Sequence, residues 1–212
     1  MDCVNEFLGY ILLRLQSVDG NCPSSLFVTI TKEPIVYICF DAAYSENKAV
    51  ACGIAFSSID SSVRDSTYLY FMTRPAPYIP GSFYLREMPL IIGALDKVRW
   101  RPSLIFIDGY VWLPGKRPGL GAHLFFHLHE EIPVIGIAKS PYRGHSSHKK
   151  IIRGMSKRPL YITAAGVEDW RAAEAVTRMA GDFRIPDMMT TAHSEAKRQL
   201  RYLNKFGKLD HG

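Results

Sequence analysis

The run IVYICFDAAYSENKAVACGIAF, residues 35–56, decides how the rest of the chain is read. Its first part, IVYICF (35–40), is β-branched and aromatic and stops at Asp41. Its last part, AVACGIAF (49–56), is a second apolar run, and a polar SENK segment separates the two. Two such runs around a short polar turn predict an antiparallel strand pair. STYLYFM (66–72) predicts a third strand, so the three together predict an antiparallel meander.

Working outward, prolines and glycine at 77–81 predict a stiff turn, followed by a helix over about 83–98. LIFID (104–108) reads as a short buried strand ending at Asp108, and 119–129 as a helix. PVIGIA (133–138) is another buried strand, ending at Lys139, and the two apolar strands are expected to be parallel. An edge strand is expected at 160–163, with amphipathic helices at 167–180 and 191–204. Phe7, Leu8, Ile11, Leu12 and Leu15 predict an opening helix over 5–15. A meander, then helix–strand–helix–strand, then helices is the order of a ribonuclease H-like α/β fold. That fold has a mixed central sheet of antiparallel and parallel strands flanked by helices. With 212 residues, 47% of them hydrophobic, one domain over 1–212 is expected.

A net charge of +6 fits a phosphate-bearing partner. Lys139, Arg143, Lys149, Lys150, Arg153, Lys157 and Arg158 crowd one segment, with His145 and His148 among them. It reads either as a solvated loop or as a rim contacting phosphates. The four cysteines, Cys3, Cys22, Cys39 and Cys52, form no CxxC pair and are expected to be buried thiols rather than zinc ligands. No apolar run has the length of a membrane span, and no cationic leader with a cleavage site opens the chain. No membrane partner is expected, and the expected compartment is the reducing cytoplasm.

The chemistry is read from the carboxylates. Asp41 and Asp108 each follow an apolar strand, where a carboxylate can face a crevice instead of being buried within the sheet. Glu87 lies on the helix between them. If the first and fourth strands lie side by side, Asp41 and Asp108 converge and Glu87 can lean over both. Three hard oxygen ligands suit Mg²⁺ or Mn²⁺. The competing readings are a helix cap or turn former for each aspartate and a surface pair for Arg86 and Glu87. His193 has no role assignable from composition. Arg86 is expected to orient Glu87 or its neighbours; His123, His127 and His129 are read as packing or surface groups, and Trp112 as lining the pocket or, at least as often, as core.

Taken in order, several blocks resemble the endonuclease V family: FDAAY (40–44), PYIPGSFYLREMP (77–89), IFIDG (105–109), GLGAH (119–123), IPVIGIAKS (132–140) and RIPDMMTTAHSEAKR (184–198). The resemblance implies a metal-dependent endonuclease, a DNA-repair hydrolase that nicks DNA or RNA near inosine with Mg²⁺, Mn²⁺ substituting. The second phosphodiester bond 3′ to the lesion would be cut, leaving 3′-hydroxyl and 5′-phosphate ends. It implies Asp41, Glu87 and Asp108 as metal ligands, His193 beside them, and Lys139 at the scissile phosphate. Tyr78, with Ile79, Pro80 and Gly81, would be the wedge, and Gly109 and Tyr110 would border the base. Arg143, Lys149 and Lys150 would contact phosphates with Lys139. A monomer is expected. Where the family usually carries a second glycine and then His-Pro-Arg, this chain has Val111 and Pro114-Gly115-Lys116. In the alternative altered-base reading, Val111 and Tyr110 remodel the base pocket. A structure-selective or altered-base nuclease and a non-catalytic nucleic-acid binder are the alternative readings.

Overall fold

The structure, a computed structural model, describes residues 34–142 and 148–208 in full and the backbone of 11–14 and 29–32. The chain forms two compact units, Met1–Ile35 and Val36–Gly212. In the first, the described backbone is an antiparallel pair, β1 (Ile11–Arg14) with β2 (Thr29–Lys32), in the register Ile11↔Lys32. The helix expected over 5–15 is corrected at 11–14, which is strand; the rest of it lies outside the described residues, as do Cys3 and Cys22. A short apolar run is compatible with either conformation, and here pairing with a second segment decides.

In the second unit, β3 (Tyr37–Tyr44), β4 (Lys48–Phe56) and β5 (Ser66–Thr73) form the expected meander. The Ser45 amide donates to the Lys48 carbonyl at 2.8 Å and closes the first hairpin. There follow α1 (Tyr84–Leu95), β6 (Leu104–Asp108) and a small ribbon of β7 (Trp112–Leu113) with β8 (Arg117–Pro118). Then come α2 (Leu120–His127), β9 (Val134–Ala138), β10 (Lys149–Ile151), β11 (Leu160–Ala165), α3 (Asp169–Arg178) and α4 (Asp187–Phe206). The main sheet has seven strands in the order β10-β11-β9-β6-β3-β4-β5. β3, β6 and β9 are mutually parallel, and the remaining neighbours are antiparallel.

Two expectations are corrected. The strand at 160–163 is not an edge: β11 lies between β10 and β9, and all six of its residues are buried. The edge is β10, whose KKI sequence reads as loop because lysines dominate it; edge strands commonly carry lysine to block further pairing. Asp41, expected just past its strand, lies within β3, which continues to Tyr44 and pairs Asp41 with Cys52.

Strand parity sets the two faces. Ile38, Phe40, Ala42 and Tyr44 of β3 pack with Leu90, Ile91 and Ala94 of α1 and with Leu120 and Leu124 of α2. Ile105 and Ile107 of β6 join the same core. The odd residues of β3 therefore turn to the opposite face, where α4 packs on β3 and β4. On α4, Met188, Met189, Ala192, Ala196, Leu200 and Leu203 are buried at helical spacing. Cys39 and Cys52 are fully buried free thiols, and burial raises the thiol pKa of both. No helix among the described residues is long and apolar enough to cross a membrane.

Candidate active site

β3 and β6 lie side by side and parallel, with Phe40 opposite Ile107. One step further along that register brings Asp41 next to Asp108, both on the α4 face. Glu87 enters from the first turn of α1 and is only 8% exposed. The three carboxylates feel one another. Burial, then Asp41, then Asp108 hold the Glu87 carboxyl well above the ordinary range, with Arg86 opposing. Burial and the Asp108 charge raise Asp41, while its hydrogen bond to His193 works the other way.

Each aspartate already has a partner. His193 Nδ1 lies 2.7 Å from Asp41 Oδ2, and the Ala42 amide donates to Asp41 Oδ1 at 2.7 Å. Lys139 Nζ, one residue past β9, forms an ion pair with Asp108 Oδ2. Among the described residues no group of three or more His, Cys, Asp or Glu side chains is gathered so as to hold a metal ion. Asp41, Glu87 and Asp108 thus lie close enough for the aspartates to act on Glu87 without being gathered at one centre. An all-oxygen donor set in which burial and neighbouring carboxylates raise Asp41 and Glu87 fits a hard divalent cation, which would relieve that repulsion.

Around these carboxylates stand two side chains, Tyr44 and Arg184, to which the sequence alone assigned no role. The Tyr44 hydroxyl lies beside the Glu87 carboxyl and donates to the Arg86 carbonyl oxygen at 3.5 Å. The Arg86 guanidinium stacks 3.8 Å above the Tyr44 ring, so Arg86 braces the tyrosine beside Glu87. Parity was the available signal, since Tyr44 shares the α1 face with Phe40. Arg184 donates to the carbonyl oxygens of Lys139 and Pro159, the latter at 2.7 Å, tying the end of β9 to the start of β11. No local pattern announces Arg184.

The stiff turn is as expected. The Ser82 amide donates to the Ile79 carbonyl at 3.0 Å, with Pro80 and Gly81 in the central positions. Gly81 has φ +82°, the left-handed geometry a type II turn requires there. Tyr78 is 60% and Ile79 47% exposed, and Tyr78 packs edge-on against Phe83 at 6.1 Å.

After Gly109, the Tyr110 hydroxyl donates to the Ser140 carbonyl at 2.8 Å and accepts from the Tyr142 amide at 3.1 Å. Val111 is fully buried in the main core, and its amide donates to Thr163 Oγ1 at 2.8 Å. The Val111 side chain thus packs in the core between the sheet and α2. Trp112 is half-buried, its Nε1 donating to the Ala164 carbonyl at 2.8 Å, and His123 stacks on Tyr84 at 3.6 Å. Lys149 and Lys150 are exposed on β10, whereas Arg143 lies outside the described residues.

A family model described as Endonuclease V matches residues 29–168. Endonuclease V of Geotalea uraniireducens is 30% identical over 184 residues, which are 76% of this chain and 77% of that protein. Endonuclease V of Petrotoga mobilis is 26% identical over 186 residues, 78% of this chain and 83% of that protein. Among solved structures, Ciona intestinalis Endonuclease V in complex with a 24mer DNA containing an inosine followed by a ribo-adenosine superposes with a TM-score of 0.67. Identity there is 18%, over 80% of this chain and 87% of that one, and the likeness bears out the ribonuclease H-like fold.

Proposed function

Because this chain belongs to the endonuclease V family, we propose that it is a divalent-metal-dependent endonuclease that nicks DNA or RNA beside an inosine. It hydrolyses the second phosphodiester bond 3′ to that nucleotide, leaving 3′-hydroxyl and 5′-phosphate ends. The observation that carries this reading is the approach of Asp41, Glu87 and Asp108 across two adjacent strands and a helix, flanked by His193 and Lys139.

In this reading Asp41, Glu87 and Asp108 hold Mg²⁺, for which Mn²⁺ can substitute, and the bound cation supplies an activated water and charge neutralisation at the phosphate. Tyr44 and Arg86 keep the Glu87 carboxylate turned to the crevice. His193 Nδ1, 2.7 Å from Asp41 Oδ2, orients that carboxylate. Lys139 Nζ, held beside Asp108, is within the crevice to donate to a non-bridging oxygen of the scissile phosphate. Lys149 and Lys150, with Arg143, contact flanking phosphates. An altered base must leave the stack to be read, and Tyr78 and Ile79 on the Pro80–Gly81 turn fill the space it leaves. The loop at Gly109 and Tyr110 borders the extruded base. A monomer acting in the cytoplasm belongs to the same proposal; the free thiols of Cys39 and Cys52 fit a reducing compartment.

The test is a labelled strand carrying one inosine, incubated with Mg²⁺ or Mn²⁺. Wild type is expected to make one nick and Asp41→Ala none. No cut by wild type, or an equal cut by the variant, ends this reading.

A further inference from the structure

Phe183 is a large aromatic left in water. It is 77% exposed, just ahead of α4, and nearby Met155 is 99% exposed and Ile152 56%. Single exposed apolar side chains need no explanation, but these come with a rigid mount. Arg153, itself only 5% exposed, donates to the carbonyl oxygens of Phe183 (3.0 Å), Gly181 (3.2 Å), Ala180 (3.4 Å) and Met179. Burying a guanidinium carries a desolvation penalty that such a set of acceptors offsets, and the result is a loop with little freedom. Gly154 seals the junction: its φ is +54°, and a Cβ there would collide with the Asp182 carbonyl oxygen. Residues 152–155 and Phe183 therefore rise from one seam.

That seam adjoins the active site. Arg184, the next residue after Phe183, donates to the carbonyl oxygen of Lys139. The main chain that presents the Phe183 ring is thus fixed at one residue by Arg153 and at the next to the strand end carrying Lys139. The surroundings are basic: residues 148–160 contain Lys149, Lys150, Arg153, Lys157 and Arg158 and no acidic residue. All but Arg153 are exposed. Asp182 is the one acidic residue of the 179–184 loop.

An exposed aromatic on a fixed loop, with an exposed methionine, lysines and an arginine in the segment bonded to that loop, matches the two needs of an unpaired nucleic-acid strand. Any base has a π-face to stack, and each nucleotide adds a phosphate. We propose that Phe183, with Met155, is a stacking platform for an unpaired base of the substrate strand flanking the cut on the Lys139 side, with Lys149, Lys150, Lys157 and Arg158 following its phosphates. The reading rests on the proposed nuclease function for its substrate, but stacking needs no inosine. The platform gives the enzyme a preference for strands that are single-stranded beyond the cut.

The experiment compares wild type, Phe183→Ala and Phe183→Trp on single-stranded oligonucleotides with the inosine near either end, and on an inosine-free oligothymidylate. Phe183→Ala is expected to weaken binding of strands extended across the platform about tenfold, leaving cleavage of the strand truncated on that side unchanged. Phe183→Trp is expected to restore binding, and the introduced indole to be quenched by the oligothymidylate. Quenching without any inosine cleavage by wild type would sink the proposed function and leave the platform standing. Inosine cleavage with no quenching, or equal losses on long and truncated strands, would overturn the platform alone. So would a shift from dimer to monomer in sedimentation on Phe183→Ala with binding unchanged, because the patch would then be covered by a second copy of the chain.

Discussion

Glu87 carries the sharpest consequence of the site at the scale of a single residue. Its charged form is disfavoured first by burial and then by Asp41 and Asp108. A carboxyl raised in the fold relative to the unfolded chain costs stability as pH climbs from the ordinary glutamate range toward the raised value, because the unfolded chain gives up its proton first. Glu87→Gln removes that loss while keeping the shape of the side chain. With chelator present, Glu87→Gln is expected to melt several degrees above wild type at about pH 8 and to match it near pH 4, at about 2–4 °C per kcal/mol for a chain of this size. Added Mg²⁺ is expected to raise the wild-type melting temperature and to leave that of the variant nearly unmoved. Calorimetry across pH checks both, and a variant that melts lower at pH 8 would contradict the electrostatic account. The identity of Glu87 as a candidate was legible from its place in the REMP block. Its burial, and the Tyr44 hydroxyl beside it, were not, since both come from the packing of α1 on the sheet.

The turn ahead of α1 is an element whose geometry local chemistry dictates almost completely. Proline at the second position and glycine at the third define a type II turn without tertiary help, and the Ile79–Ser82 hydrogen bond is the one expected. Its proposed work is to occupy the gap left by an extruded base. Tyr78→Ala is accordingly expected to slow nicking of inosine in a duplex by at least about tenfold and to affect a single strand much less, since a single strand has little stacking to break. Equal losses on both substrates in a gel assay would instead make Tyr78 a general binding residue. β10 and β11 are the opposite case. Their sequences mislead because strand order is set by partners: β11 is buried through pairing with β9 on one side and β10 on the other.

Over the whole molecule, charge is the property that composition reports directly. A net charge of +6, with lysines and arginines gathered between 139 and 158, predicts substrate binding that weakens steeply with salt. If Lys149 and Lys150 each neutralise one phosphate of a single strand, the double Lys149→Ala/Lys150→Ala variant is expected to bind more weakly. Its slope of log affinity against log salt should be shallower by about 1.4. Fluorescence anisotropy over a salt series measures this, and an unchanged slope would place the pair away from the strand.

Local sequence was enough for the meander, the two apolar parallel strands, both late helices and the turn at Gly81. Those features depend on residues a few positions apart, whose periodicity, β-branching and turn chemistry act before anything distant is packed. The assembly of the crevice depended on contacts that no window of sequence contains. His193 meets Asp41 across 152 positions, because odd residues of β3 face α4, and Asp108 meets Asp41 because β6 docks parallel to β3. The burial of Val111, the inward place of β11 and the bracket that holds Phe183 have the same origin. Strand pairing and the exclusion of water from a shared core act between segments far apart in the chain, so their outcome is written in the pairing and not in any one segment.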